Sequence, residues 1–125
     1  MRTMLKSKIH RAHVSETNIN YENSITIDKK LIEEANVFLS EQVEILNLNN
    51  GAHFDSYTIE TKKGSNEICM NGTATRLAIK GDVAIMLSYP YGNDDEARNF
   101  ILKLVYVDAN NAITKTEGAV KPISF

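Results

Sequence analysis

The segment Asn20-Tyr21-Glu22-Asn23-Ser24-Ile25-Thr26-Ile27-Asp28 is the first place in this chain where residue types and order suggest chemistry. A serine that follows a turn-capable residue and precedes a strand run presents its hydroxyl at a sharp bend. Such a hydroxyl either stabilises the turn or acts as a nucleophile, and the segment taken alone favours the turn. Ser56 and Tyr57 bring a second hydroxyl beside a phenol, which is either a proton donor or a packing aromatic. His10 and His13 stand three residues apart, a spacing that would put two metal ligands on one face of a helix. The flanking Ile9 and Val14 favour a strand, where residues i and i+3 leave on opposite faces, so no metal site is expected. Asp94-Asp95-Glu96 is a run of acids without a second liganding segment, and it reads as a helix start rather than a cation site. Cys69 is the only cysteine. That excludes an intrachain disulfide and a thiolate zinc cluster, suits a reducing cytoplasm, and leaves a buried structural thiol as the simplest reading.

The elements that must hold these residues are mostly short strands. Phe54 to Ile59 lacks a 3.6-residue period and is rich in β-formers. Val83 to Leu87 is an apolar run of strand length, and Leu102 to Val107 is another, interrupted only by Lys103. Asn49-Asn50-Gly51, Lys63-Gly64-Ser65-Asn66, Lys80-Gly81-Asp82 and Asp108-Ala109-Asn110-Asn111 are turn signals, rich in residues that tolerate positive φ. Their spacing suits a compact β-barrel. Two short helices are expected. Asp28 caps a segment with Leu31, Ile32, Ala35 and Leu39 at helical spacing, and Glu33 and Glu34 face away from them. A second helix starts near Asn93, with its acids at the positive end of the helix dipole. Pro90 and Pro122 fall where the pattern ends.

Bulk properties narrow the partners. A chain of 125 residues fits one domain, 1–125, on a prior of roughly 100–200 residues per domain. A net charge of −2 and a pI near 5.9 leave no surplus of cations to track a phosphate backbone, so no nucleic-acid partner is expected. The first thirteen residues contain no apolar stretch of export length, and no segment approaches the ~18 apolar residues of a membrane helix, so no membrane partner is expected either.

Four stretches carry a resemblance when taken together. They are Met4 to Ala12 (MLKSKIHRA), Tyr21-Glu22-Asn23-Ser24, Phe54-Asp55-Ser56-Tyr57, and Asn71-Gly72-Thr73-Ala74-Thr75-Arg76. In order and spacing they resemble the successive signatures of the aspartate 1-decarboxylase family, from about Arg2 into the last helix and strand. The resemblance implies a mainly β, double-psi β-barrel with short peripheral helices, assembled as a homotetramer in the cytoplasm. It also implies an inactive proenzyme that cuts itself between Asn23 and Ser24. The Ser24 hydroxyl would attack the carbonyl of residue 23, elimination would free the upstream chain, and loss of ammonia would leave a covalent pyruvoyl cofactor at residue 24.

That carbonyl would form a Schiff base with the amine of an amino-acid substrate and act as the electron sink for decarboxylation. The product from L-aspartate is β-alanine, a precursor of pantothenate and coenzyme A. The resemblance makes Ser24 and Tyr57 catalytic, with Tyr57 returning a proton to carbon and lying beside the Ser56 hydroxyl near the new carbonyl. It makes Ser56, Gly72, Thr73, Ala74, Lys8 and His53 substrate-binding, with the backbone amides of 72–74 and the Lys8 ammonium suited to a carboxylate.

The chain departs from the family pattern at four of these positions. Glycine normally precedes the cut serine, and Asn23 in a left-handed conformation would cost ~1–2 kcal/mol, slowing or stopping the cut. His53 replaces an arginine, exchanging a permanent two-pronged cation for an imidazole, which predicts weaker aspartate binding or a less acidic substrate. Ser56 replaces threonine and Thr73 replaces alanine. Two other functions therefore stay open: decarboxylation of a different amino acid, and an uncleaved, inactive relative that serves as a binding or scaffold protein.

Overall fold

A computed structural model describes residues 1–99 and 101–119, and Pro122 lies outside them. The chain is mainly β. Its strands in order are β1 Arg2–Thr3, β2 Ser7–His13, β3 Glu16–Asn18, β4 Ser24–Asp28, β5 Gln42–Asn47, β6 His53–Thr61, β7 Ile68–Asn71, β8 Val83–Ser88, β9 Tyr91–Gly92, β10 Leu102–Val107 and β11 Ile113–Ala119. The expected strands at 54–59, 83–87 and 102–107 are β6, β8 and β10. All four turn signals lie between strands, with Gly51, Gly64, Gly81 and Asn111 at positive φ.

Nine of these strands form one mixed sheet in the order β11-β10-β2-β8-β5-β6-β4-β7-β3, while β1 and β9 pair separately. Parallel neighbours occur three times, β2 with β10, β4 with β6, and β3 with β7. The sheet curls upon itself. Ile9 of β2, Ile25 and Ile27 of β4, Ile45 of β5, Met70 of β7 and Met86 of β8 line one apolar void of about 10 Å³. Strands β2 and β7 are five places apart in the sheet order, so their side chains meet only if the sheet closes round a common core, as in a barrel. These side chains are almost fully buried, and alternate residues of each strand supply them. A void of this size and lining holds no water and marks dense packing.

One strand breaks the alternation. In β2, Ile9 pairs with Met86 and Ala12 with Ala84, so three steps on β2 oppose two on β8. Arg11 absorbs the extra residue at φ 63, as a β-bulge requires. Ile9 and Ala12 both face the core, so i and i+3 share a face here, contrary to the expectation for a regular strand. The Nδ1 atoms of His10 and His13 are both buried and have no hydrogen-bond partner among the described residues. Among the described residues no group of three or more His, Cys, Asp and Glu could hold a metal ion.

Helix α1 spans Lys29–Ala35, capped by Asp28, with Leu31, Ile32 and Ala35 buried. The Asp28 carboxylate accepts from the backbone N–H of Lys30, Gly64 and Asn66 at 2.8–2.9 Å, tying the helix start to the 63–66 turn. The helix stops earlier than its spacing predicts. Asn36 turns left-handed at φ 54 and its N–H reaches back to Ile32 and Glu33, so Leu39 falls beyond the end and is 56% exposed, while Val37 takes the buried place. Helix α2, Asp94–Arg98, begins with a capping box between Asn93 and Glu96. Its acids act at the helix start and in surface pairs, Asp94 with Arg2 and Asp95 with Arg98. No helix among the described residues is long and apolar enough to cross a membrane.

Candidate active site

Strands β4 and β7 run antiparallel with Ser24 opposite Asn71 and Thr26 opposite Cys69. Residues at period two share a face, so four polar side chains line up on the side away from the core. Asn71 Nδ2 donates to Ser24 Oγ at 3.0 Å and to Thr26 Oγ1 at 2.8 Å. The Cys69 thiol lies 3.2 Å from Asn71 Oδ1 and donates to it, which fixes the orientation of the amide. Burial first, then the charges of Glu67 and Glu16, hold that thiol above its ordinary pKa, so it remains a donor. Ser24, 3% exposed, donates its own proton to the Glu22 carbonyl at 2.8 Å. Its hydroxyl is therefore oriented by two partners, at the first residue of a strand and directly after the Asn23 peptide bond.

Asn23 is held from the same segment. Its Oδ1 accepts from the Thr73 N–H at 2.8 Å. Gly72, at φ 65, opens the space for it: a Cβ on Gly72 would collide with Asn23 Oδ1 and come within 3.1 Å of Asn23 Cα. The left-handed strain expected at Asn23 is absent, because the positive φ falls on Gly72 and Asn23 is not among the residues with φ above zero. Ala74 is buried in the 3₁₀ turn Gly72–Arg76, whose Thr75 hydroxyl donates to the Gly72 carbonyl.

Strand β6 lies on the other side of β4, with Ile25 beside Thr58 in parallel register. One residue earlier, Ser24 comes level with Tyr57 on the same face. Tyr57 is 55% exposed. Ser56 is buried and leaves β6 on the opposite face, as strand alternation requires, so in the single chain its hydroxyl and Tyr57 point to different sides of the sheet.

Lys8 and His53 stand apart from Ser24. Lys8 lies on β2, separated from β4 by β8, β5 and β6, and adjacent strands are spaced ~4.8 Å apart. It is flanked in register by Leu104 and Leu87. Burial there lowers the pKa of its ammonium. His53 begins β6 four residues before Tyr57, roughly 13 Å along the same exposed face. His10, next to Lys8 but one, packs edge-on to Tyr106 at 5.5 Å. Its imidazole is held below its ordinary pKa by burial first and then by the charges of Lys8 and Arg11.

The aspartate decarboxylase family model matches residues 1–114. The chain belongs to that family. It is 53% identical over 110 residues to the aspartate 1-decarboxylase of Thermoanaerobacter pseudethanolicus, covering 88% of this chain and 94% of the relative. Identity is 52% over 113 residues to that of Syntrophomonas wolfei, covering 90% and 96%, and 48% over 113 residues to that of Campylobacter jejuni, covering 90% and 89%.

Within this aspartate decarboxylase fold, sequence reasoning passed over the roles of Asn71, Thr26 and Cys69. The signal was available. Ser24 and Thr26 alternate on one segment, Cys69 and Asn71 on another, and polar residues at period two on two strands point to a shared polar face.

Proposed function

We propose that this protein decarboxylates L-aspartate to β-alanine and CO₂, with a pyruvoyl group made from Ser24, as a carboxy-lyase that feeds pantothenate and coenzyme A synthesis. The observation that carries this reading is the Ser24 hydroxyl, buried and held by Asn71 and Glu22 beside the Asn23 peptide bond, in a chain about half identical to aspartate 1-decarboxylases. Ser24 Oγ attacks the Asn23 carbonyl carbon, its proton passes to the Ser24 nitrogen, and the C–N bond breaks to give an ester. Elimination then releases 1–23 as a carboxylate and leaves dehydroalanine at residue 24. Its imine form takes up one water and loses ammonia, so the fragment 24–125 begins with a ketoamide.

The site fits such a group. It grows from a residue already at the start of β4, and it needs no separate binding pocket. A carbonyl at residue 24 supplies the electron sink that accepts the carbanion left by CO₂ loss. Tyr57, level with Ser24 and open to solvent, returns the proton to carbon. The backbone of Gly72, Thr73 and Ala74 contacts the substrate, while Ser56, buried on the opposite face of β6, supports the strand that carries Tyr57. The Thr73 N–H is held by Asn23 in the uncut chain, so substrate contact there follows cleavage. Lys8 and His53 take part in substrate binding, Lys8 as an ammonium and His53 as a hydrogen-bond donor, and their separation from Ser24 along the sheet is met by a second copy, in a homotetramer of single-domain chains spanning 1–125. The setting is the cytoplasm.

The test is intact mass after denaturing electrophoresis, with CO₂ release followed over a panel of amino acids. Fragments 1–23 and 24–125, the larger lacking its amino terminus, together with CO₂ from aspartate, are expected. Hydroxylamine intercepts the ester and shows how far an uncut sample has gone. A single uncut chain after long incubation removes the enzyme reading and leaves a scaffold. Release from another amino acid in preference to aspartate moves the substrate, with His53 as the reason.

A further inference from the structure

Three consecutive residues, Asn71, Gly72 and Thr73, grip both partners of the bond that is to be cut. Asn71 Nδ2 holds the nucleophile, Ser24 Oγ, at 3.0 Å. The Thr73 N–H holds the residue under attack through Asn23 Oδ1 at 2.8 Å, and Gly72 leaves the room that this side chain fills. Any substitution at Gly72 that adds a Cβ would expel Asn23 from this place.

We infer that the Asn23 side chain is a positioning residue for self-cleavage, docking the carbonyl of residue 23 against the 71–73 segment so that Ser24 Oγ meets it. This rests on the reading of Ser24 as the self-cleaving residue. Asn23 has no left-handed backbone to hold it in place, and it is exposed apart from this contact, so the side-chain anchor is what limits its motion. In the step itself the Oγ–C bond to Asn23 forms, the C–N bond to Ser24 breaks, and the proton moves from Oγ to that nitrogen. The Asn23 amide takes no part in the bond changes. Its contribution is to reduce the conformations from which attack must start.

The inference is tested on the full chain, purified rapidly and followed by intact mass against time. Asn23→Ala removes the acceptor and is expected to cleave roughly tenfold more slowly. Asn23→Asp keeps an oxygen at the same reach and is expected to stay within about threefold of the wild type. Asn23→Ala at the wild-type rate, or Asn23→Asp as slow as Asn23→Ala, overturns the inference. A second readout uses the uncut Ser24→Ala chain, in which hydrogen exchange at the Thr73 amide is expected to accelerate when Asn23→Ala is added. Unchanged exchange there also overturns it. Asn23→Gly separates the two levels of the argument. An uncut wild type beside a cutting Asn23→Gly shows that the docked side chain obstructs, which overturns this inference and leaves the decarboxylase reading standing. Failure of both to cut removes that reading and this one with it.

Discussion

The two sides of strand β4, toward β7 and toward β6, differ in how complete they are. Toward β7, Ser24, Asn71 and Cys69, all buried, and the half-buried Thr26 form a row joined by hydrogen bonds, with Asn23 docked on Thr73 beside it. Toward β6, Tyr57 and His53 stand on an exposed face, and Lys8 is three strands further round the sheet. The first region is assembled inside one chain because its contacts join the paired strands β4 and β7, residues two apart on β7, or residues just outside the ends of the two strands. The second is spread over a surface, and in the proposed homotetramer another copy of the chain completes it. Under the proposed self-cleavage, the first region is the one needed ready on folding. Under the same proposal, binding a small acid comes after the cut.

Each prediction presses on that contrast, and the largest effect belongs to the nucleophile. Ser24→Ala is expected to remain a single chain of full mass with no measurable CO₂ release, and any 24–125 fragment from it would move the cut to another residue. Tyr57→Phe should separate the two regions: cleavage proceeds as in the wild type, while kcat for decarboxylation falls by roughly 10²–10⁴. If cleavage stalls instead, Tyr57 belongs with the inner row. Asn71→Ala leaves the Ser24 and Thr26 hydroxyls without their shared donor, and the appearance of fragments should slow by about ten- to a hundredfold on an intact-mass time course. An unaffected rate would show that the row is structural only.

His53→Arg addresses the outer face and is expected to lower KM for aspartate about tenfold with kcat nearly unchanged, since a guanidinium holds a carboxylate with two parallel donors. Equal KM values would place His53 away from the substrate in the assembled protein. The smallest effect concerns Cys69. Its pKa is raised by burial and by Glu67 and Glu16, so at pH 8 it carries less thiolate than a free cysteine. Alkylation by iodoacetamide should be at least about tenfold slower than for the free amino acid, and should quicken as pH rises further. Labelling as fast as free cysteine at pH 8 would show that the inner row opens.

Much of the architecture was legible in the order of residues. Glycine, Asn and Asp clusters marked the turns, because few other residues tolerate positive φ, apolar runs of five or six marked β8 and β10, and β-formers without a helical period marked β6. Asp28 and Asn93 announced their helices as capping residues. Leu39 misled, since helical spacing continues past Asn36 although the left-handed Asn36 ends the helix. The bulge at Arg11 was invisible to pattern, because a single inserted residue leaves local composition unchanged while reversing which residues face the core.

Residue types and their order, then, determined the strands, the turns, the caps and the resemblance that singled out Ser24, all of which depend on local preference or on runs of a few neighbours. Tertiary structure alone decided which groups meet. The pairing of β4 with β7 joins residues 47 positions apart and turns Asn71 into the partner of Ser24. The positive φ of Gly72 gives Asn23 its place, and strand alternation sends Ser56 and Tyr57 to opposite faces. These outcomes depend on register, and register is set by closing one core over many strands at once.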